Sequence, residues 1–215
     1  MLKGLIGKKL GMARVFGPFG KAFAVTVVEL GPCAVIQRKS KNRDGYEALQ
    51  LGYDKLKDSQ VNRPLKGHFQ AAGQGGFRVL KEFPVEDSSV YELGQTITAD
   101  ALFKVGDRVH VSGVSRGRGF AGSQKRNKFH RGPETHGSTN VRPPGSIGTS
   151  ALPSRVMKGI RMPGHMGADK VTVKNLQVFD VRAEENLILL KGAVPGAKNG
   201  MVVVRMSDYP VKQRS

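Results

Sequence analysis

The 215-residue sequence has no tryptophan, one cysteine and no long apolar run. Because Cys33 has no second cysteine with which to pair, an internal disulfide is excluded, which suits a reducing cytoplasm. No apolar stretch approaches the roughly 20 residues of a membrane-spanning helix. Lys8, Lys9 and Arg14 interrupt the apolar core that a signal peptide at the N-terminus would need. These absences predict a mature cytoplasmic protein that does not use a membrane.

Acidic residues are also scarce: 17 Asp and Glu stand against 35 Lys and Arg, for a net charge of +18. Such an excess of positive charge indicates the kind of partner rather than the fold, and it favours either a polyanion or an anionic membrane. Since no apolar span is present, the polyanion is the better candidate. The composition therefore predicts a nucleic-acid-binding protein.

The positive charge is concentrated in the middle of the chain. Residues 113–170 contain 11 basic and 2 acidic side chains, a net charge of +9, and 11 of the 28 glycines. Residues 1–112 have a net charge of +6, and residues 171–215 have a net charge of +3. Half of the net charge thus lies in just over a quarter of the chain, which divides the sequence into three parts.

The two flanking parts have the patterns of short β-strands. Apolar and β-branched runs separated by Gly, Pro and Asn turns favour a β-barrel or a sandwich, and helical signals are sparse, with a turn or two near residues 64–72. We predict strands at residues 22–30, 34–38, 47–53, 77–83, 107–114, 171–181, 186–191 and 201–206. The protein is therefore predicted to be mainly β.

The middle part has neither helical nor strand periodicity, and its scattered apolar residues cannot build a core of their own. The simplest architecture is one β-domain, with residues 1–112 as its first part and residues 171–215 as its completing part. Residues 113–170 then form a long, irregular, basic internal extension. A loop of this length is uncommon in a compact domain unless it is functional. We expect a polyanion to order it.

Cationic and aromatic side chains alternate with glycines in the extension. Arginine offers a planar fork for phosphate oxygens, glycine permits close backbone approach, and Phe120 and Phe129 can stack on splayed bases. A solvated disordered segment is the less favoured interpretation, because the segment is internal and stiffened by prolines. The predicted RNA-binding residues are Lys8, Lys9, Arg116, Arg118, Lys125, Arg126, Lys128, Phe129, His130, Arg131, His136, Arg142, Arg155, Lys158, Arg161 and His165.

Other functions fit the sequence less well. Residues 117–122 match the dinucleotide-binding pattern G-x-G-x-x-G, but neither an amphipathic helix nor an acidic residue for the ribose follows. His130 and His136 could form an acid–base pair in an RNA-processing enzyme, which we keep as the alternative function. Their spacing does not suit a zinc site. Non-specific DNA compaction is a third hypothesis. We predict no cofactor, no metal and no small-molecule substrate.

The run FKVGDRVHVSGVSRGRGFAGSQKR at residues 103–126 closely resembles the signature of the bacterial large-subunit ribosomal protein L3 family. The resemblance continues along nearly the whole chain. Its further blocks are residues 7–12, 25–39, 44–53, 61–69, 136–148, 158–167, 171–178 and 186–200.

This resemblance implies a six-stranded β-barrel similar to one in translation factors. It also implies an extension that enters the large-subunit ribosomal RNA, binding near the 3′ end of that RNA, and an early role in subunit assembly. Neighbouring large-subunit proteins would be partners, and the RNA would be the catalyst, so the chain itself is not an enzyme. By position, residues 116–131 would line the entrance to the RNA. The tip near the peptidyl transferase centre would consist of Pro143, Pro144, Gly145, Ser146, Ile147, Gly148, Thr149 and Ser150.

Two positions depart from the family pattern. His110 stands where the family signature usually has Asp or Asn, which could change a local hydrogen bond. Thr149 stands where some bacterial members have a glutamine that is methylated. We therefore do not expect that modification in this chain.

Overall fold

The structure is a computed structural model that describes residues 1–17 and 20–207. The last residues of the predicted completing part, 208–215, lie outside this described range. Contacts between Cα atoms divide the chain into two compact units. The first unit is Met1–Val114 together with Lys170–Ser215, and the second is Ser115–Asp169.

The described residues form twelve strands and three short α-helices. The strands are β1 (Gly4–Phe16), β2 (Ala22–Leu30), β3 (Cys33–Lys39), β4 (Ala48–Lys55), β5 (Phe77–Pro84), β6 (Thr96–Ile97), β7 (Arg108–Val114), β8 (Phe120–Ala121), β9 (Gly164–His165), β10 (Lys170–Arg182), β11 (Leu187–Lys191) and β12 (Met201–Met206). The helices are α1 (Lys41–Asp44), α2 (Arg63–Gln70) and α3 (Ser123–Asn127), and a turn of 3₁₀ helix spans Asp58–Gln60.

The main sheet of the first unit has six antiparallel strands in the order β1-β12-β7-β10-β11-β2. Strand β2 pairs with β1 in turn, so the sheet closes into a barrel. Closure gives the strands two neighbours each and removes the sheet edges. The first and last parts of the chain therefore build one barrel together.

Alternating apolar side chains fill this barrel. In β7 the residues Val109 and Val111 are fully buried between more exposed neighbours, and β12 repeats the pattern with Val202 and Val204. A period of two places alternate side chains on one face of the sheet. The same core contains Leu2, Leu5, Ile6, Val28, Leu30, Ile188 and Leu190.

A second sheet, in the order β5-β4-β3-β6, belongs to the same unit. Leu49 and Leu51 of β4 pack into the barrel core. Ile36 of β3 lies instead in a smaller cluster, where Phe69 of α2 meets Phe77 with ring centroids 5.9 Å apart. One face of this sheet thus covers the barrel core and the other receives helix α2.

The prediction of a mainly β protein is confirmed, and β2 matches the predicted residues 22–30. Helix α2 confirms the helical signal near residues 64–72. Strand β1 was not predicted, because its Gly and Lys residues have low β-propensity; its pairing with β2 and β12 stabilises the strand instead. The short strands β6, β8 and β9 and the helices α1 and α3 are further elements that the sequence pattern does not predict. The division of the longer strands between two sheets is likewise not predicted by the sequence pattern.

Cys33 and His110 each have a defined hydrogen bond in the first unit. Cys33 is fully buried, its thiol donates to the carbonyl of Ile6 at 3.5 Å, and burial raises its pKa to about 12. His110 lies in the barrel wall, where its Nδ1 accepts a hydrogen bond from the backbone N–H of Asn175 at 3.1 Å. Asn175 sits at an irregularity of β10 with a φ of 59°. The histidine thus supplies an acceptor there, as Asp or Asn also could.

Candidate nucleic-acid interface

The second unit, Ser115–Asp169, begins and ends with backbone bonds between its own termini. The N–H of Ser115 donates to the carbonyl of Asp169 at 2.9 Å, and the N–H of Ala168 donates to the carbonyl of Ser115 at 3.2 Å. The hydroxyl of Ser115 also accepts from the N–H of Asp169 at 3.2 Å. These bonds hold together the two ends of a 55-residue excursion of the chain.

A small sheet continues from these termini. The N–H of Arg118 donates to the carbonyl of Met166, and the N–H of Met166 donates to the carbonyl of Gly119, both at 2.9 Å. Strands β8 and β9 then pair, with Phe120 opposite His165. The segment is therefore not uniformly irregular, although its sequence has no periodicity. Two-residue strands are too short to leave a pattern.

Side chains of helix α3 donate hydrogen bonds to the segment just before β9. The Arg126 guanidinium donates to the carbonyl of Met162 at 2.9 Å, and the side-chain amide of Asn127 donates to the same oxygen at 3.0 Å. A Cβ atom on Gly164 would lie only 2.7 Å from a guanidinium nitrogen of Arg126. Glycine at this position therefore lets the arginine lie against the strand.

The rest of the unit consists of turns held by few bonds. The N–H of Gly132 donates to the carbonyl of Val141 at 3.0 Å, and a side chain on Gly132 would collide with the Asn140 carbonyl. Nearer the predicted tip, the Thr149 hydroxyl donates to the carbonyl of Leu152 at 2.7 Å. Backbone and hydroxyl bonds, rather than an apolar core, define this region.

The surface of the unit is strongly cationic. Residues 115–169 include ten Lys and Arg and only two acids, and all ten basic side chains are exposed. Glu134 forms an ion pair with Arg131. Within the described part of the chain, Arg131 is the one basic residue of this unit that forms an ion pair with a carboxylate. Most of the cationic charge thus faces solvent without a counter-ion from the protein.

The structure places most of the predicted RNA-binding residues in this second unit. Among them His130, His136 and His165 are exposed, and Phe129 is half-buried. Arg155 lines a shallow concavity with residues 146–149 of the predicted tip. The members of the predicted set within the unit are Arg116, Arg118, Lys125, Arg126, Lys128, Phe129, His130, Arg131, His136, Arg142, Arg155, Lys158, Arg161 and His165.

Lys8 and Lys9 belong to the first unit. The Lys9 ammonium donates to the carbonyls of Val194 at 2.7 Å and Gly196 at 3.1 Å. Lys8 is half-buried and lies opposite Glu29 in the β1–β2 ladder. Lys9 therefore has a structural role in fastening a loop to the barrel, and this role depends on carbonyls that lie more than 180 residues away in the chain.

Phe120 is an exposed aromatic residue at the start of β8. Its side chain is 79% exposed, whereas Ala121 beside it is buried. The sequence pattern predicts that Phe120 and Phe129 both can stack on bases, although the predicted RNA-binding set includes Phe129 alone; of the two, Phe129 is half-buried.

Two negative findings apply to residues 1–17 and 20–207. No helix in this range is long and apolar enough to cross a membrane. Within the same range, no three His, Cys, Asp or Glu side chains are grouped closely enough to hold a metal ion.

A β-barrel unit joined to a cationic unit without an apolar core defines a class of protein that offers a polyanion-binding surface. Comparison with known proteins makes the class specific. The family model for ribosomal protein L3 matches residues 70–186, which include the whole second unit. The chain belongs to the ribosomal protein L3 family.

Individual relatives are similar over almost their full length. The large ribosomal subunit protein uL3 of Desulforapulum autotrophicum is 54% identical, over 95% of this chain and 99% of the relative. The proteins of the same name from Syntrophobacter fumaroxidans and Pelotomaculum thermopropionicum are 47% and 50% identical, over 97% and 96% of this chain and 99% and 98% of the relatives. The family is structural, which confirms the prediction of a protein that is not an enzyme. His130 and His136 accordingly have no catalytic assignment.

Proposed function

We propose that the chain is a structural component of the large ribosomal subunit that binds large-subunit ribosomal RNA through its second unit. The observation that carries this proposal is the set of ten exposed basic side chains at residues 115–169, with only two acids among them. RNA phosphates supply the missing negative charge. The names of the relatives, all large-subunit proteins, support the same partner.

The finer proposal concerns where the two ends of the second unit act. Residues 116–131 line the entrance to the RNA, with binding near its 3′ end. Residues 143–150 form the tip, which approaches the peptidyl transferase centre. Support comes from the exposure of residues 142–160 throughout, since a segment with no protein cover is free to be covered by RNA. Binding early in assembly follows, because such a segment must enter before the RNA closes around it.

Neighbouring large-subunit proteins and location on the cytoplasmic ribosome complete the proposal. The first unit has the lower density of positive charge, +10 over 160 residues against +8 over 55, so its surface is the better place for protein contacts. The ribosomal location follows from the RNA partner.

Sedimentation of gently lysed cells tests the proposal. The protein should co-sediment with the large subunit in moderate salt and should dissociate only when salt competes with its phosphate contacts. Recovery of the chain solely as a free monomer would contradict the proposed function. Competition between large-subunit RNA and duplex DNA at one salt concentration separates it from DNA compaction, since purely electrostatic binding shows little preference.

A further inference from the structure

The sheet β8–β9 has two unlike faces. Ala121 is 3% exposed, whereas its neighbour Phe120 is 79% exposed. Successive side chains of a strand point to opposite faces. The face that carries Ala121 is therefore turned into the second unit, and the face that carries Phe120 is turned to solvent.

The inner face is firmly backed. Ala121 pairs with Gly164, and the guanidinium of Arg126 lies against that glycine. Arg126 is itself fixed by its hydrogen bond to the carbonyl of Met162 at 2.9 Å. These contacts lie on the inner face of the sheet, so they leave the Phe120 ring uncovered on the outer face.

The outer face brings two flat side chains together. Phe120 and His165 are directly opposite in the antiparallel ladder, and residues paired in this way project from the same face with their Cβ atoms about 4.5–5.5 Å apart. His165 is exposed as well. A phenyl ring and an imidazole ring are thus neighbours on one face of the sheet, and both are exposed.

The charge around this face identifies what would cover it. Residues 115–169 contain ten basic and two acidic side chains, and Glu134, one of the two acids, already pairs with Arg131. A partner that combines negative charge with flat apolar rings matches both properties. A nucleic acid strand has both, and its bases are available for stacking only where they are unpaired.

We propose that Phe120 and His165 form a stacking platform for an unpaired base of the bound RNA. This inference rests on the RNA-binding function proposed above and names a site within it. Stacking on an aromatic ring contributes roughly a 5- to 160-fold gain in affinity per base and tolerates every base, because each base has a π-face. Stacking releases no counter-ions, so its contribution does not depend on salt as phosphate contacts do.

The test measures binding of the full chain to a full-length large-subunit RNA transcript over a series of salt concentrations. Phe120→Leu keeps apolar bulk and removes the aromatic face, and Phe120→Trp keeps an aromatic face. Phe16→Leu is the matched control, since Phe16 is 68% exposed in the first unit. We expect Phe120→Leu to bind roughly 5- to 160-fold more weakly at every salt concentration, with an unchanged salt slope. Phe120→Trp and Phe16→Leu should bind like the unmodified protein.

Each other outcome has a distinct meaning. If the unmodified protein does not prefer large-subunit RNA to duplex DNA, the proposed function fails, whatever Phe120 does. If it does prefer that RNA and Phe120→Leu binds equally well, the stacking platform is overturned and the function stands. A changed salt slope in Phe120→Leu would also overturn the platform, because the loss would then lie in phosphate contacts.

A photo-crosslinking amino acid at position 120 gives an independent readout. Crosslinks should fall on unpaired nucleotides. Crosslinks confined to base-paired nucleotides, or to a protein in the assembled subunit, would overturn the inference.

Discussion

Glycines at close contacts determine how tightly the strands of this protein approach. Gly7 lies in β1, where an added Cβ would collide with the carbonyl of Glu29 and approach Leu30 at 2.9 Å. An added Cβ at Gly11, on the same strand, would have no neighbouring atom within 4 Å. The two glycines therefore have different reasons to be present, although the sequence shows them alike.

Gly7→Ala should lower stability by about 1–3 kcal/mol, because the barrel must open locally to admit the methyl group. Gly11→Ala is the matched control and should leave the free energy of unfolding nearly unchanged. Chemical denaturation of both variants checks this, and equal stability of the two would show that β1 and β2 yield easily at Gly7.

Because the Cys33 thiol is buried, its ionisation makes the free energy of unfolding depend on pH in the alkaline range. Burial raises its folded-state pKa from 9.0 to about 12, so the thiol stays protonated in the folded protein while the unfolded chain ionises. The unfolded state then binds fewer protons, and the contribution of this thiol is complete below about pH 9 and declines as pH rises toward 12.

The stability difference between the unmodified protein and Cys33→Ala should therefore narrow as pH rises above 9. Denaturant unfolding at several pH values measures it. A constant difference across this range would mean that the thiol ionises equally in both states.

At the scale of elements, a few hydrogen bonds from polar side chains hold the second unit together. Arg126 and Lys125 are adjacent in α3 and have the same charge, but Arg126 bonds to the carbonyl of Met162 and covers Gly164. Lys125 is exposed. One of these neighbouring cations thus has a structural task that charge alone does not reveal.

In the RNA-bound protein, Arg126→Met should speed amide hydrogen exchange at Ala121 and Met166, because the small sheet loses its support. Lys125→Met should leave that exchange unchanged. Both variants should reduce the magnitude of the salt slope of RNA binding by up to about one unit, since each removes one cation. Unchanged exchange in Arg126→Met would show that the sheet is held by its backbone bonds alone.

Deletion of residues 141–152 removes the predicted tip and leaves β8, β9 and the barrel strands in the chain. We expect the barrel to fold, as judged by its thermal transition, and subunit maturation or peptidyl transfer to be impaired. A normal subunit profile with a normal rate of peptidyl transfer would contradict the proposed place of the tip.

At the scale of the whole molecule, the two units differ in what stabilises them. The first has a large apolar core, whereas Ala121 and Ser123 are the buried residues of the second. Regions with few buried apolar contacts open at low free-energy cost. The second unit therefore depends on a partner for order to a degree that the barrel does not.

Hydrogen exchange of the free protein should show fast exchange near residues 121–168 and strong protection in the barrel strands. Addition of large-subunit RNA should protect the first of these regions selectively. If the second unit neutralises roughly 6–10 phosphates, affinity should fall by about 10³–10⁵ between 50 and 200 mM salt. Uniform protection of both units without RNA would contradict this account.

Sequence alone determined the mainly β class, most strand positions and the cationic segment, because alternating apolar residues and charge are local properties of the chain. The tertiary structure decided which strands share a sheet, because pairing depends on residues far apart, as when β1 meets both β2 and β12. It also decided that Lys9 fastens a loop of the barrel and that Phe120 is turned to solvent while Ala121 is buried. The sequence determines the chemistry of each side chain, whereas the neighbours and the exposure of that side chain depend on the folded structure.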